Sequence, residues 1–251
     1  MLAKERQDYI LDILDHRGVV YLKEVSMDLH VSMCTIRRDF EKLESESKCK
    51  RVHGGAVKVI YNHPLQEETD LHMSKRERMN IEDKKALCKK CAELVEDGDC
   101  IFIDGGTTFM YMMDYLRERR ISIVSHSDFI RHRDNALCSV FILGGENSAK
   151  YKMNLGPMVN KYLKNFHFDK AFISCAGFTV DDLKAYTAEI ATAQVKQTAI
   201  KNAKLSYLVM DSSKIGMDGF YNFMNLDSMQ GFITTKQDLD LKTKAQVLVV
   251  E

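Results

Sequence analysis

Apolar residues along the first sixty positions fall into short helical repeats. Tyr9, Ile10, Ile13 and Leu14 recur at the spacing that lines one helix face, and Gly18 stops that helix. Leu22, Val25 and Leu29 mark a second, short helix. A tight turn at His30-Val31 follows, and Ser32 is placed to cap a third helix by accepting a backbone N–H. In that helix Ile36, Phe40 and Leu43 share one face, Thr35 and Arg38 point away from it, and Arg37 lies on the flank. The segment KCKRVHGGAVKVI then reads as a hairpin. A basic strand reaches a Gly54-Gly55 turn, and a second strand with Val57, Val59 and Ile60 returns.

From about Ile81 the pattern changes to short, uniformly apolar runs. Strands are predicted at Cys100–Asp104, Ile121–Val124, Val140–Leu143, Lys170–Ser174, Tyr207–Met210, Gly231–Thr234 and Gln246–Val250. Amphipathic helices fit between several of them, at Glu82–Glu96, Thr108–Glu118, Pro157–Asn165 and Ala188–Ala203. Such alternation predicts an α/β fold whose mostly parallel sheet is covered on both faces. The polar stretch between the two textures, residues 61–80 with Pro64, reads as a linker whose end could start a helix. The expected organisation is therefore a head over residues 1–60, a linker over 61–80 and a second domain over 81–251.

Composition narrows the class. Of 251 residues, 45% are hydrophobic and 29% charged, a globular profile. No apolar run approaches the roughly 18 residues of a membrane span, and the N-terminus lacks an apolar signal region, so a cytoplasmic protein is expected. Seven scattered cysteines suit reduced thiols. Cys88 and Cys91 form a CxxC with no matching second pair, and they read as buried helix cysteines rather than zinc ligands. Neither metal nor cofactor is expected. The 36 basic and 36 acidic residues exclude a uniformly basic nucleic-acid coat but not a local patch.

Helix, short helix, turn, helix and basic hairpin together describe a winged helix-turn-helix. Its third helix would enter the major groove of double-stranded DNA with its N-terminal residues at the base edges. Ser32 and Thr35 sit at that end, Arg38 faces outward and Arg37 can reach a phosphate. From Met1 to Ala56 ten basic residues balance ten acidic ones, so a DNA face must come from segregation of Arg37, Arg38, Lys48, Lys50 and Arg51. The alternative is a neutral three-helix bundle with a solvated charged face. The stretch VSMCTIRRDFEKLE followed by KRVHGGA resembles the DeoR family of bacterial transcription regulators, whose signature runs VS-x-x-TIRRDL-x-x-LE and then R-x-HGGA. The resemblance implies that Ser32, Thr35, Arg37 and Arg38 belong to a recognition helix, and Arg51, His53, Gly54 and Gly55 to a wing. Phe40 replaces the usual Leu, and Ser47 replaces a Gly.

In the second region Asp104-Gly105-Gly106-Thr107-Thr108 directly follows a strand and precedes a helix. Glycines let an oxyanion approach the backbone, and a helix start offers free N–H groups, so the segment outlines a phosphate cradle. A tight structural turn would use the same glycines. Polar or glycine groups also follow other strands: Ser125, His126 and Ser127; Gly144, Gly145 and Glu146; and Asp211 to Lys214. In open α/β sheets ligands bind off such strand ends, and Lys214 is a candidate point charge for a phosphate.

The resemblance continues over nearly the whole chain. KKALCKKCAELVEDGDCIFIDGGTT, LGGE and MDSSKIG match the family's sugar-phosphate sensor domain, which is similar to ribose-5-phosphate isomerases. It implies that Asp104 to Thr108 and Lys214 line an effector site, with Thr187 and Lys196 matching a further T-x₈-K segment. Ser125-His126-Ser127 departs from the family's Thr-Asn-Ser, and DDLKAYT lacks a glycine usual before the matched Thr. The expected function is a sequence-specific repressor of a sugar-metabolism operon, acting as a homodimer or homotetramer and switched by a phosphorylated sugar. The alternatives are an isomerase-like enzyme with Glu146 or Asp211 as base, and a constitutive DNA-binding protein with an inactive pocket.

Overall fold

A computed structural model describes residues 3–45, 48–52, 54–58, 73–130, 137–237 and 239–250. The chain divides into two compact units, Met1–Tyr61 and Asn62–Glu251.

In the first unit α1 (Ala3–Arg17), β1 (Val19–Tyr21), α2 (Leu22–Asp28) and α3 (Met33–Ser45) lead into the hairpin of β2 (Cys49–Val52) and β3 (Gly55–Lys58). The strands form an antiparallel sheet in the order β1-β3-β2. The expected apolar faces meet: Ile10, Leu14, Val25, Ile36, Phe40 and Leu43 are buried together with Val20, Cys49 and Ala56 from the strands. Each such large side chain contributes about 1.5–3 kcal/mol when fully buried. The turn after α2 puts His30 at φ +51° and is closed by the Ser26 hydroxyl donating to the Val31 carbonyl at 2.7 Å. Ser32 caps α3 as expected, its Oγ accepting from the Thr35 N–H at 3.2 Å. Gly54 takes φ +85°, and a Cβ on Gly55 would stand 2.2 Å from the Val20 carbonyl oxygen. The glycine pair is thus dictated by the turn and by the close passage of β1. Ser47, His53, Val59 and Ile60 lie outside the described residues.

The second unit opens with α4 (Met73–Arg78) and α5 (Ile81–Glu93) before β4 (Cys100–Ile103). A 3-10 turn (Thr107–Phe109) and α6 (Met112–Tyr115) lead to β5 (Ser122–Ser125) and β6 (Ser139–Ile142). The hairpin β7 (Glu146–Ser148) and β8 (Met153–Leu155) precedes α7 (Pro157–Leu163) and β9 (Phe168–Ser174). Then come β10 (Gly177–Thr179), β11 (Lys184–Thr187), α8 (Ile190–Lys201), β12 (Ala203–Met210), β13 (Tyr221–Asn225), β14 (Gly231–Thr234) and β15 (Gln246–Val249). Seven strands form one sheet in the order β15-β14-β12-β9-β4-β5-β6, and every pairing in it is parallel. All seven expected strands are in it.

Side chains alternate across the sheet. Ile101, Ile103 and Ile123 pack with Leu87 and Cys91 from α5, Met112 from α6 and Leu116 just after it. Phe102, Val124 and Ile173 pack on the other face with Val159, Leu163, Val195 and Ala199 from α7 and α8. The result is three layers, helix on sheet on helix. Cys88 and Cys91 are buried in α5, as expected, and burial pushes the Cys88 thiol up to about 12 and the Cys91 thiol upward as well.

Three readings need correction. The helix expected over Thr108–Glu118 is broken into the 3-10 turn and the four-residue α6; two threonines and a phenylalanine are poor helix starters. The end of the 61–80 stretch starts the helix its sequence allowed, but that helix, α4, packs with the second unit rather than bridging as a linker. Met73 of α4 is buried against Met153 and Leu155, which docks the helix within the second unit. Residues 61–72 lie outside the described residues. Finally, an antiparallel sheet of order β10-β11-β13 was not foreseen.

Candidate functional site

On the first unit, the exposed side of α3 opposes its buried Ile36, Phe40 and Leu43. Ser32, Arg37 and Arg38 are exposed there and Thr35 is half-buried, its hydroxyl 2.9 Å from that of Ser32. Neither Arg37 nor Arg38 has a hydrogen-bond or ion-pair partner among the described residues. Asp39, on the inner side, accepts from Arg6 Nε at 2.7 Å and from Gln7 Nε2 at 3.3 Å, which ties α1 to α3. Arg51 behaves differently from the other cations. Its Nε donates to Glu44 at 2.6 Å and its Nη1 to Glu41 at 2.8 Å, so it struts the wing against α3. Lys48 is exposed, the Lys50 side chain lies outside the described residues, and Gly54 and Gly55 form the wing turn.

On the second unit, strands after β4 go to opposite sides: β5 and β6 to one, β9, β12, β14 and β15 to the other. A crevice at such a switch point is where ligands bind in open α/β sheets. An open cleft of about 50 Å³ lies there, lined by Gly105 and Gly106 after β4, Ser174 at the end of β9, Lys196 of α8, Glu189, Tyr151 and Arg76. Gly106 takes φ +94° at the head of the 3-10 turn. The backbone N–H groups of Gly106, Thr107 and Thr108 have no partner among the described residues. Three free N–H groups in sequence form a nest for an anion. Behind it Lys214 Nζ donates to Thr108 Oγ1 at 3.1 Å and stands 3.8 Å from Asp211 Oδ2, and Cys88 Sγ donates to the Thr108 carbonyl at 3.2 Å. Burial pulls the Lys214 ammonium down from its ordinary value, against the opposing field of Asp211.

A buried polar knot holds this turn. Asp104 Oδ2 accepts from the Ser174 backbone N–H at 2.9 Å, from the Ser174 hydroxyl at 2.7 Å and from the Lys196 ammonium. Lys196 also donates to the Ser174 carbonyl at 3.0 Å. Burial raises the Asp104 carboxyl, but the Lys196 ammonium beside it outweighs that and holds the group well below the usual carboxylate range. His126 Nε2 accepts from the Gly105 N–H at 3.1 Å, and its Nδ1 is 2.9 Å from the Asn154 carbonyl. A ring with its proton on Nδ1 satisfies both contacts. Asp104 Oδ1, 3.5 Å from Nε2, is then left without a hydrogen bond.

The structure sorts the expected effector residues. Gly105, Gly106 and Lys196 line the cleft, as does Thr187. Asp104, Thr107, Thr108 and Lys214 stand behind it and shape the turn. Ser125, His126 and Ser127 are fully buried and do not reach the cleft. Ser125 Oγ donates to the Ile103 carbonyl at 2.7 Å and accepts from the Ser127 N–H at 3.1 Å, so this loop is bonded to itself and to β4. Gly144, Gly145 and Glu146 are exposed and also miss the cleft. A Cβ on Gly145 would meet the Leu155 carbonyl oxygen at 2.5 Å, so its glycine serves the β7–β8 hairpin. Arg76, Tyr151, Ser174 and Glu189 were missed, because α4, the hairpin turn and the end of β11 carry no local motif. The Asp-plus-GGTT run and the T-x₈-K pair were the usable signals. Among the described residues no group of three His, Cys, Asp or Glu could hold a metal ion, and no helix is long and apolar enough to cross a membrane.

Comparison with known proteins places both units. A family described as the DeoR-like helix-turn-helix domain matches residues 6–60, and one described as the DeoR C terminal sensor domain matches residues 79–236. A lactose phosphotransferase system repressor of Staphylococcus epidermidis is 32% identical over 249 residues, 98% of this chain and 97% of that one. A repressor of the same description from Streptococcus mutans is 32% identical over 244 residues, covering 96% and 95%. Among solved structures, ribose 5-phosphate isomerase A from Methanocaldococcus jannaschii aligns with a TM-score of 0.40 at 16% identity, over 54% of this chain and 55% of that one.

Proposed function

This chain belongs to the DeoR family of transcription regulators, and on that premise we propose that it represses a sugar-metabolism operon and that a phosphorylated sugar in the second unit's cleft sets its affinity for operator DNA. One juxtaposition carries the reading. A single chain joins a winged helix-turn-helix, with Arg37 and Arg38 unpartnered among the described residues on its exposed helix face, to a cleft lined by Gly105, Gly106 and Lys196 and backed by the free N–H groups of Thr107 and Thr108. A phosphate ester carries about −1.5 to −2 charge at neutral pH, which the nest, Lys196 and Lys214 favour. The relatives named as repressors supply the sign of regulation. Thr35 and Arg38 read bases, Arg37 and Lys48 hold phosphates, and a homodimer or homotetramer presents two heads to paired half-sites on cytoplasmic DNA.

Sensing requires only that the two states of the protein bind ligand differently, and coupling is reciprocal. A sugar phosphate that weakens operator binding is itself bound more weakly on DNA, by the same factor, typically about 5- to 150-fold. The test is operator affinity, on a site selected from random-sequence DNA, with and without saturating sugar phosphates. Thr107→Asp places a negative charge in the nest and is expected to abolish the response while leaving DNA binding intact. A Thr107→Asp protein that responds like wild type sinks the cradle reading.

A second reading, an isomerase-like enzyme, is favoured by one observation: a carboxylate, Glu189, lines the cleft, with the Tyr151 hydroxyl 3.4 Å from it. The bases first considered do not serve. Glu146 is exposed on β7, and Asp211 accepts from Asn80 and from the Ser213 N–H. Turnover of pentose or hexose phosphates by the full chain would decide for that reading.

A further inference from the structure

Arg76 stands apart from the cations around it. It projects from α4 into the same cleft as Gly105, Gly106 and Lys196. The buried or half-buried cations around the cleft have fixed partners. Lys196 is on Asp104 and Ser174, and Lys214 is on Thr108 and Asp211. Lys152 is on Glu77, and Lys84 donates to the Met79 carbonyl at 2.5 Å and to the Arg76 carbonyl. The Arg76 guanidinium is half-buried and has no hydrogen-bond or ion-pair partner among the described residues. Burial works against its charge, only partly offset by the field of Asp211. A guanidinium presents five N–H donors in a planar fork that matches two oxygens of one phosphate. A desolvated fork left open in a cleft that Gly106 lines with a free N–H is a group waiting for an anion.

The helix carrying it is short and conditionally held. Six residues are far below the length at which a helix is stable alone, so α4 depends on its contacts. Met73 anchors one end. At the other end Lys84 holds two carbonyls, and Asn80 Nδ2, just beyond the helix, donates to Asp211 Oδ1 at 3.0 Å. Asp211 pairs with Lys214, and Lys214 reaches Thr108 of the nest. The end of α4 and the nest therefore already share one chain of polar contacts.

We infer that Arg76 is a ligand-binding residue, clamping the phosphate held by Gly106, Thr107 and Thr108, and that α4 is thereby fixed when the cleft is filled. α4 is the first described helix of the second unit, so occupancy of the cleft is written onto the described segment of that unit nearest in sequence to the DNA-binding head. The inference rests on the cleft being the phosphate site, and the experiment separates the two ideas.

The probe is inorganic phosphate on the full-length chain, titrated by calorimetry and followed by amide hydrogen exchange. Arg76→Gln is expected to weaken phosphate binding roughly 10- to 100-fold, the loss of hydrogen bonds to a charged group. Arg76→Lys, which keeps the charge and loses the fork, should fall between. Phosphate should slow exchange at residues 73–78 in wild type but not in Arg76→Gln at its own saturating phosphate, while Gly105 to Thr108 remain protected in both. Unchanged affinity in Arg76→Gln, with Thr107→Asp abolishing binding, overturns the Arg76 assignment and leaves the nest standing. Phosphate affinity lost in Arg76→Gln but kept in Thr107→Asp overturns the shared clamp, since the anion then sits away from the nest. A wild-type chain that binds no phosphate overturns both. Melting curves of both Arg76 variants identify a folding defect, and Arg76→Lys decides the matter if Arg76→Gln is unfolded.

Discussion

The DNA-binding face and the cleft are built on opposite plans. Arg37 and Arg38 stand outside the head with no partner among the described residues, and a short, local helical pattern places them. The residues that shape the cleft are inside. Asp104 is 1% exposed and Lys196 6%, and they meet across 92 positions of sequence; Ser174 joins them across 70. The recognition helix leaves Arg37 and Arg38 without a partner among the described residues, whereas a turn that must hold its shape without ligand pairs its charges internally. The first plan is tolerant of substitution in the fold and sensitive in recognition. The second is the reverse.

The sharpest way to break this comparison is Asp104→Asn. Removing one member of a buried pair leaves the other charge uncompensated, at about 3–5 kcal/mol. The same residue sets an acid limb. Its folded carboxyl titrates below the unfolded value near 3.9, so its stabilisation is fully present above about pH 5 and is lost as pH falls through 4 and below. Denaturant midpoints at pH 7 and pH 3 should fall for wild type and change much less for Asp104→Asn. Equal acid sensitivity in both would show that the knot does not carry the second unit's stability.

This contrast also governs what could be read from the chain. The seven parallel strands were legible because they are covered on both faces and so run uniformly apolar, as in Cys100–Ile103 and Gly231–Thr234. The three strands of the antiparallel sheet were not, since Lys184–Thr187 and Tyr221–Asn225 mix buried positions with half-buried or exposed ones in short runs. On the head, α3 and its cap were legible because both are local, while β1, three residues long, was not. At the cleft, the glycines after β4 were legible and Arg76 was not, because only the docking of Met73 on the β7–β8 hairpin turns a polar stretch into a wall of the site. Ser125 and Ser127 show the opposite case: polar residues after a strand were taken to face a ligand, yet here Ser125 Oγ bonds the Ser127 N–H and the Ile103 carbonyl, and Ser127 Oγ bonds the Phe129 N–H.

Glycine substitutions sharpen the comparison at the next scale. Gly55→Ala meets the backbone oxygen of Val20, which cannot swing aside as a side chain can, and should destabilise the head by about 1–3 kcal/mol. Gly106→Ala has nothing nearer than Ser174 Oγ at 3.8 Å, but φ +94° strains it by about 1–2 kcal/mol. Thermal unfolding should report a lower midpoint for the head alone in the first variant and for the second unit alone in the other. Transitions that shift together in both variants would show that the two units unfold as one.

Arg38→Ala comes next and should leave stability almost untouched. A lost base contact is expected to reduce discrimination between operator and random DNA by about 1–3 kcal/mol, while the affinity for random DNA changes little. A gel-shift titration in which both affinities stay at wild-type values would remove α3 from the major groove.

The smallest effect separates Arg51 from its neighbours, and it tests whether a cation in the expected DNA face is available to DNA at all. Each phosphate neutralised by a protein cation adds about 0.9 to the slope of log affinity against log salt. Arg37, with no partner among the described residues, should contribute one such unit, and Arg37→Ala should lower the slope by that amount on any sequence. Arg51 already donates to Glu44 through Nε and to Glu41 through Nη1. Binding a phosphate would mean exchanging two carboxylates for one anion, with the freed acids then facing the DNA backbone. Arg51→Ala is therefore expected to leave the salt slope within error of wild type, and Glu44→Gln to raise affinity for all sequences by loosening the guanidinium. If Arg51→Ala instead lowers the slope by about one, the wing arginine leaves its strut on binding, and the pairing seen here belongs only to the DNA-free protein.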